Sequence, residues 1–264
     1  MGRNILQNAA LVGRRELHTL IGVNRRWCDT LSGVLPHTRV DVFARYSETV
    51  ARTIARQPGQ LVVDVGAGHV APYAAELPML RSPRIVGIDL SHESMEGNDA
   101  LDEKRVADVV AEGIPFADAE VDIVTSRSVL EHLSNVEAFI GESARVLKRG
   151  GYSIHLLSGG LSHVALINRM IPEKLARQML YALHPTSRGV GGQPTVYDRC
   201  HYRALKRMFN RNGFDKVDIY ASFGSDYFYF LVPLFLLESL LLVALQTLRV
   251  RSLAVSYLAF ARRA

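Results

Sequence analysis

Apolar and polar positions along this chain follow a strand-then-helix rhythm. Short apolar runs at Leu61–Val65, Arg84–Asp89, Arg105–Asp108, Val121–Ser126 and Tyr152–Leu157 are separated by stretches with helical spacing. Apolar runs of that length read as strands buried on both faces, and their alternation with helices reads as a parallel sheet. The fold class expected is α/β, doubly wound, with ligands at the carboxyl ends of the strands.

The flanking segments carry their own punctuation. Val42, Phe43, Tyr46, Val50 and Ile54 recur at helical spacing after Thr38, a candidate N-cap, and Pro58-Gly59 stops that helix ahead of the first strand. Ser134 and Glu137 form a capping box for a helix through Leu147, which Gly150-Gly151 is expected to end. Helices are also expected over 158–170, 172–183 and 198–211, a glycine-containing loop over 184–194, and strands over 215–223 and 253–261. Residues 1–37 form a helical cap in which Trp27 is expected to pack on the core. Residues 38–264 then make one domain, with 158–200 as an insertion over the substrate side.

Tyr227–Leu248 is nearly all apolar apart from Glu238 and Gln246. Roughly twenty such residues can span a bilayer. A strand returning over 253–261 would have to rejoin the sheet on the same side, so the segment is expected not to cross. It reads as a helix lying in a membrane interface or packed over the substrate pocket, and an inserted core helix stands level with that account.

Chemistry enters at Asp64-Val65-Gly66-Ala67-Gly68, where a strand ends in an acid and runs into Gly-x-Gly. Glycines let the backbone turn sharply and approach a ligand without a Cβ in the way. Gly66 to Ala71 also satisfies the loose dinucleotide fingerprint, so this loop alone says only that a nucleoside-type ligand fits. Further along lie Ile85-Val86-Gly87-Ile88-Asp89-Leu90, with its acid about twenty residues after the glycines, then Asp108-Val109 leading to Pro115-Phe116, then Ser126 through Glu131-His132-Leu133, and Leu147 to Gly151.

In this order the motifs resemble the class I S-adenosylmethionine-dependent methyltransferases, in particular the group that includes the ubiquinone and menaquinone enzymes. The resemblance covers roughly residues 61–156 and implies a Rossmann-like seven-stranded sheet with an antiparallel last strand. It also implies roles. Gly66, Ala67 and Gly68 would pass beneath the methionine part of S-adenosylmethionine, with Asp64 holding nearby amide or water contacts. Asp89 would bind the ribose hydroxyls, Leu90 would line the adenine, and Asp108 would accept from its amino group with the backbone of Val109 beside it. Ser126 would offer its carbonyl to the methionine ammonium. The family's third glycine is Val70 here, and the run from Asp108 to Pro115 is about two residues longer than the family's usual spacing.

His132 is the candidate general base, because an imidazole titrates near neutrality; a histidine satisfied at a helix start is the competing account. Tyr197-Asp198-Arg199 reads either as a lid element or as a simple N-cap. The remaining histidines show no metal-ligand spacing.

At 264 residues and 48% hydrophobic the chain can bury one substantial core. Its net charge of +5 comes from scattered basic residues, with no aromatic-interleaved basic patch, which argues against nucleic acid. Two cysteines far apart exclude a disulfide framework and fit a reducing cytoplasm. The expectation is methyl transfer to a small or lipid-like molecule. The alternatives are a nicotinamide-dependent oxidoreductase and a methyltransferase-like protein that binds without turnover. Against the first, Asp64 stands where a dinucleotide fold keeps a small apolar residue.

Overall fold

A computed structural model of the chain describes residues 19–35, 40–77, 83–171 and 194–264. Seven strands form one sheet in the order β3-β2-β1-β4-β5-β7-β6. They are β1 (Leu61–Val65), β2 (Arg84–Asp89), β3 (Glu103–Val106), β4 (Val121–Arg127), β5 (Leu147–Ser158), β6 (Phe214–Ser222) and β7 (Ser256–Arg263). The first five are parallel, and β7 runs antiparallel to both β5 and β6, between which it lies. This is the doubly wound α/β sheet expected, with its reversed last strand.

Two apolar layers cover the sheet. On one face α1 (Val42–Ile54) buries Val42, Tyr46, Val50 and Ile54 against Val62, Ile85, Ile123 and Ile154. Its N-cap is Asp41, whose Oδ1 accepts from the backbone N–H groups of Phe43 and Ala44, while Thr38 lies outside the described residues. Phe43, expected on the buried stripe, is half exposed because the stripe follows positions 42, 46, 50 and 54. On the other face α2 (Val136–Val146), α4 (Tyr202–Arg211) and α5 (Val232–Thr247) pack on the layer around Val63, Val86, Val124 and Phe139. A further helix, α3 (His163–Met170), follows β5.

Several boundaries differ from expectation for local reasons. The cap of α2 is Asn135 rather than Ser134, with Oδ1 accepting from Ala138 N. Gly150 does not end that helix. It adopts φ +81° inside β5, where the pairing with β4 shifts register between Val121 and Ile123. A left-handed glycine serves a strand bulge as well as a helix end, and the sequence signal for the two is the same. Strand β3 sits two residues early because Asp108 closes a turn, its Oδ1 accepting from Val110 N and Ala111 N. Helix α3 starts only at His163, capped by Ser162, because Ser158 still belongs to β5. Asp198 caps α2 instead of opening α4: its Oδ2 accepts from Val136 N at 3.0 Å. The last strand begins at Ser256, after a 3-10 turn over Arg251–Leu253.

Trp27 is a plain correction. It lies in a helical segment over residues 19–32 but is 61% exposed, because Cys28 is the fully buried residue there. The helix and glycine loop expected over 172–193, and the first part of the N-terminal cap, lie outside the described residues.

The crossovers after β1 and β2 hold 3-10 turns, Pro72–Glu76 and Glu93–Met95, among the described residues. This matters at the glycine loop, which leads into a turn of five residues rather than into a helix N-terminus.

Candidate active site

The carboxyl ends of β1, β2 and β4 and the segment after β3 open onto a cleft of about 260 Å³. Gly66, Asp89, Leu90, Asp108, Val109 and His132 line it. Those six residues, far apart in the chain, come together there.

Backbone geometry shapes the cleft floor. Gly66 has φ +66° and Gly68 φ +52°, both in the left-handed region that favours glycine. A Cβ on Gly66 would run into Val129 Cγ2 in the segment after β4, whereas one on Gly68 would meet little. The loop is tied down from two sides. Gly66 N donates to Ile88 O at 2.7 Å, and the buried amide of Asn98 donates to Gly68 O at 2.9 Å and Ala67 O at 3.3 Å. Val70, at the family's third glycine position, is 61% exposed and outside the cleft lining, so the loop accommodates it.

Asp89 is the best-oriented group in the cleft. Its Oδ2 accepts from Gly68 N at 3.1 Å and its Oδ1 from Leu90 N at 2.8 Å. Each carboxylate oxygen keeps a further lone pair, so the pinned group can still take donors from a ligand. Asp108 is similarly half committed, with Oδ1 in its own turn.

Asp64 and Ser126 are placed differently. Asp64 is buried beneath the loop, where its Oδ2 accepts from Tyr73 OH at 2.9 Å. Burial pushes its carboxyl up to about 7, against the opposing pull of the Tyr73 hydrogen bond and of Arg127. The same burial, with the Asp64 charge nearby, raises the Tyr73 and Tyr46 phenols. Ser126 turns its hydroxyl away from the cleft, 2.8 Å from Nδ1 of the fully buried His155. Burial lowers that imidazole to about 3, so His155 is a neutral core group. Ala67 and Gly68 lie in the loop but not in the cleft lining.

On the far side, His132 Nδ1 sits 3.1 Å from Pro194 O. The residue before it went unnominated. Glu131 is 3% exposed, with Oε1 accepting from Ser158 N and Oγ, and its backbone oxygen accepting from Val196 N and Tyr197 N. These bonds fasten Tyr197-Asp198-Arg199 onto the segment after β4. Glu131 stood in the quoted motif, and Asn98 carried no local signal at all; both act on partners 27 or more positions away.

A glycine-floored cleft with a pinned acid after β2, on a sheet with this strand order, defines the methyltransferase type of α/β fold. Residues 62–155 match a family model described as a methyltransferase domain. The chain is 36% identical over 101 residues to an uncharacterized methyltransferase of Bacillus subtilis, an alignment covering 34% of this chain and 37% of that protein. It is 31% identical over 121 residues to a probable S-adenosylmethionine-dependent methyltransferase of Mycolicibacterium smegmatis, covering 41% and 42%. The chain thus spans about two fifths of the length of these relatives. Among solved structures, geranyl diphosphate C-methyltransferase of Streptomyces coelicolor superposes with a TM-score of 0.51 at 16% identity, over 84% of this chain and 79% of that one. The likeness to S-adenosylmethionine-dependent methyltransferases thus rests on the methyltransferase domain matched at residues 62–155.

Proposed function

We propose that this protein transfers a methyl group from S-adenosylmethionine to a small or lipid-like acceptor. The observation that carries the reading is the Asp89 carboxylate, held by Gly68 N and Leu90 N at the rim of a cleft that has no Cβ over Gly66. A vicinal diol needs a carboxylate with both oxygens oriented and lone pairs to spare, and Asp89 offers that. Leu90 and Val109 supply apolar walls for a base, and Asp108 keeps one oxygen for an exocyclic amine. When bound, the cofactor supplies an electrophilic methyl on a sulfonium.

The chain's own part is alignment and proton handling. His132 lines the cleft and receives the proton of the acceptor where the acceptor has one to lose. Glu131, buried behind it, holds the segment after β4 in place through Ser158 and through the backbone of Val196 and Tyr197. Asp64 acts as a positioning residue, through Tyr73 beneath the glycine loop.

The nicotinamide alternative requires a helix N-terminus to receive a pyrophosphate. Here the loop feeds a 3-10 turn at Pro72, which presents no comparable array of free N–H groups. The small or lipid-like class of acceptor is supported by the structural neighbour named as a geranyl diphosphate C-methyltransferase.

Calorimetry with S-adenosylhomocysteine and with NAD(H) tests the cofactor, and binding of the nucleotide pair alone would overturn the reading. Turnover of labelled S-adenosylmethionine against a lipid and metabolite extract separates an enzyme from a binding protein.

A further inference from the structure

Helix α5 is built inside out. Its protein-facing side carries Glu238 and Ser239 beside Phe235 and Leu242. Leu236, Leu237, Leu240 and Leu241 face solvent, Leu237 and Leu240 at 66% and 69% exposure. A surface helix ordinarily does the reverse. The inversion is fixed by chemistry: Glu238 Oε1 lies 2.6 Å from His163 Nε2 and accepts from Ser225 Oγ at 2.7 Å. No rotation of the helix can bury the leucines without breaking these bonds.

Two neighbouring features extend the surface. The helical segment over 19–32 is joined to the start of α5 by Val232 N donating to Asn24 Oδ1. It exposes Leu20, Val23 and Trp27, which share one helical face. At the other end of α5, the Arg251 guanidinium donates to the hydroxyl of Tyr202, the first residue of α4. Helix α4 turns Arg203, Lys206, Arg207 and Arg211 to solvent. Among the described residues none of these four forms an ion pair.

We propose that this surface docks on an anionic lipid bilayer, with α5 lying in the interface plane and the basic face of α4 beside it. Leucine and tryptophan side chains enter the acyl boundary while the adjoining cations meet phosphate headgroups. Crossing is excluded by geometry. The sixteen residues of α5 reach about 24 Å, short of the roughly 30 Å hydrocarbon core. In addition, β7 returns to the sheet between β5 and β6, so both ends of the helix stay on one side. A second copy of the chain fits the surface poorly, because self-pairing would bring two sets of unpaired cations together. The surface lies outside the cleft, so it stands or falls apart from methyl transfer.

Co-sedimentation of the full chain with phosphatidylcholine vesicles, with and without phosphatidylglycerol, tests this. Binding is expected to vesicles containing phosphatidylglycerol, and to be weaker without it. Leu237→Ser with Leu240→Ser should lower partitioning by about tenfold per leucine, the scale of removing a buried leucine from an apolar phase. Arg203→Gln with Lys206→Gln and Arg207→Gln should remove the preference for the anionic vesicles. Thermal melts check that these solvent-facing changes leave the fold intact, and Trp27→Ala repeats the test on a separate helix. The proposal is overturned if the wild-type chain ignores both vesicles, if the leucine variant binds as well as wild type, or if the wild type is a dimer that Leu237→Ser dissociates.

Discussion

Two carboxylates in this molecule face in opposite directions. At the cleft, Asp89 is presented outward after four buried strand residues, Ile85 to Ile88, and backbone N–H groups hold it there. On α5, Glu238 is drawn inward from a helix whose other long side chains point largely to solvent, and it is held by His163 and Ser225. In the cleft, the apolar scaffold positions a polar group for a ligand. On α5, a polar anchor positions apolar groups outward. Hydropathy alone registers both segments as apolar, so only the hydrogen-bond partners tell which face is offered.

The sharpest way to break the comparison is at the cleft floor. Gly66→Val combines a left-handed backbone with a clash against Val129 and should abolish S-adenosylhomocysteine binding, a loss of about 4 kcal/mol or more. Calorimetry that finds wild-type affinity would reduce the loop to an ordinary turn. On the other side, Glu238→Ala leaves His163 and Ser225 without their acceptor and should lower stability by about 2–4 kcal/mol in denaturant titration. An unchanged midpoint would mean that apolar contacts alone seat α5. Next, Asp89→Ala should weaken cofactor binding by about 1.5–3 kcal/mol without a matching loss of stability. Equal loss in both quantities would recast Asp89 as a loop brace.

The smallest effect expected concerns Asp64. Its folded-state carboxyl is raised to about 7 from 3.8, so between those values the folded protein holds a proton that the unfolded chain releases. The contribution of Asp64 to stability is therefore fully present below about pH 4 and is lost as pH rises to about 7. Asp64→Asn keeps an acceptor for Tyr73 and removes the titration. The variant should match wild type in the acid range and exceed it by about 1 kcal/mol or more at pH 8. A melting-temperature difference that is flat with pH would show that Asp64 is already neutral, or fully solvated, across the range.

The parallel half of the sheet was legible because strands buried on both faces leave unbroken apolar runs: β1 and β2 lie where the sequence places them, and the glycines and Asp89 follow at their ends. Legibility failed where one local signal serves two structures. Gly150 reads as a helix stop but makes a bulge, and Asp198 reads as the cap of the helix after it but caps α2, 62 residues earlier in the chain. It failed again where a residue works at long range, as Asn98 does on the glycine loop and Glu131 does on Ser158. For α5 the pattern fixed apolarity but not orientation, because the deciding contact is with His163 on another helix.

The place of β7 in the sheet sets a schedule for synthesis. It lies between β5 and β6, yet follows both in the chain. A nascent polypeptide that has emerged through α5 carries two unzipped edges and a bare leucine face at the same moment, a state prone to self-association. Translation that stops before Ser256 therefore leaves β5 and β6 unjoined, a substrate for chaperones and proteases.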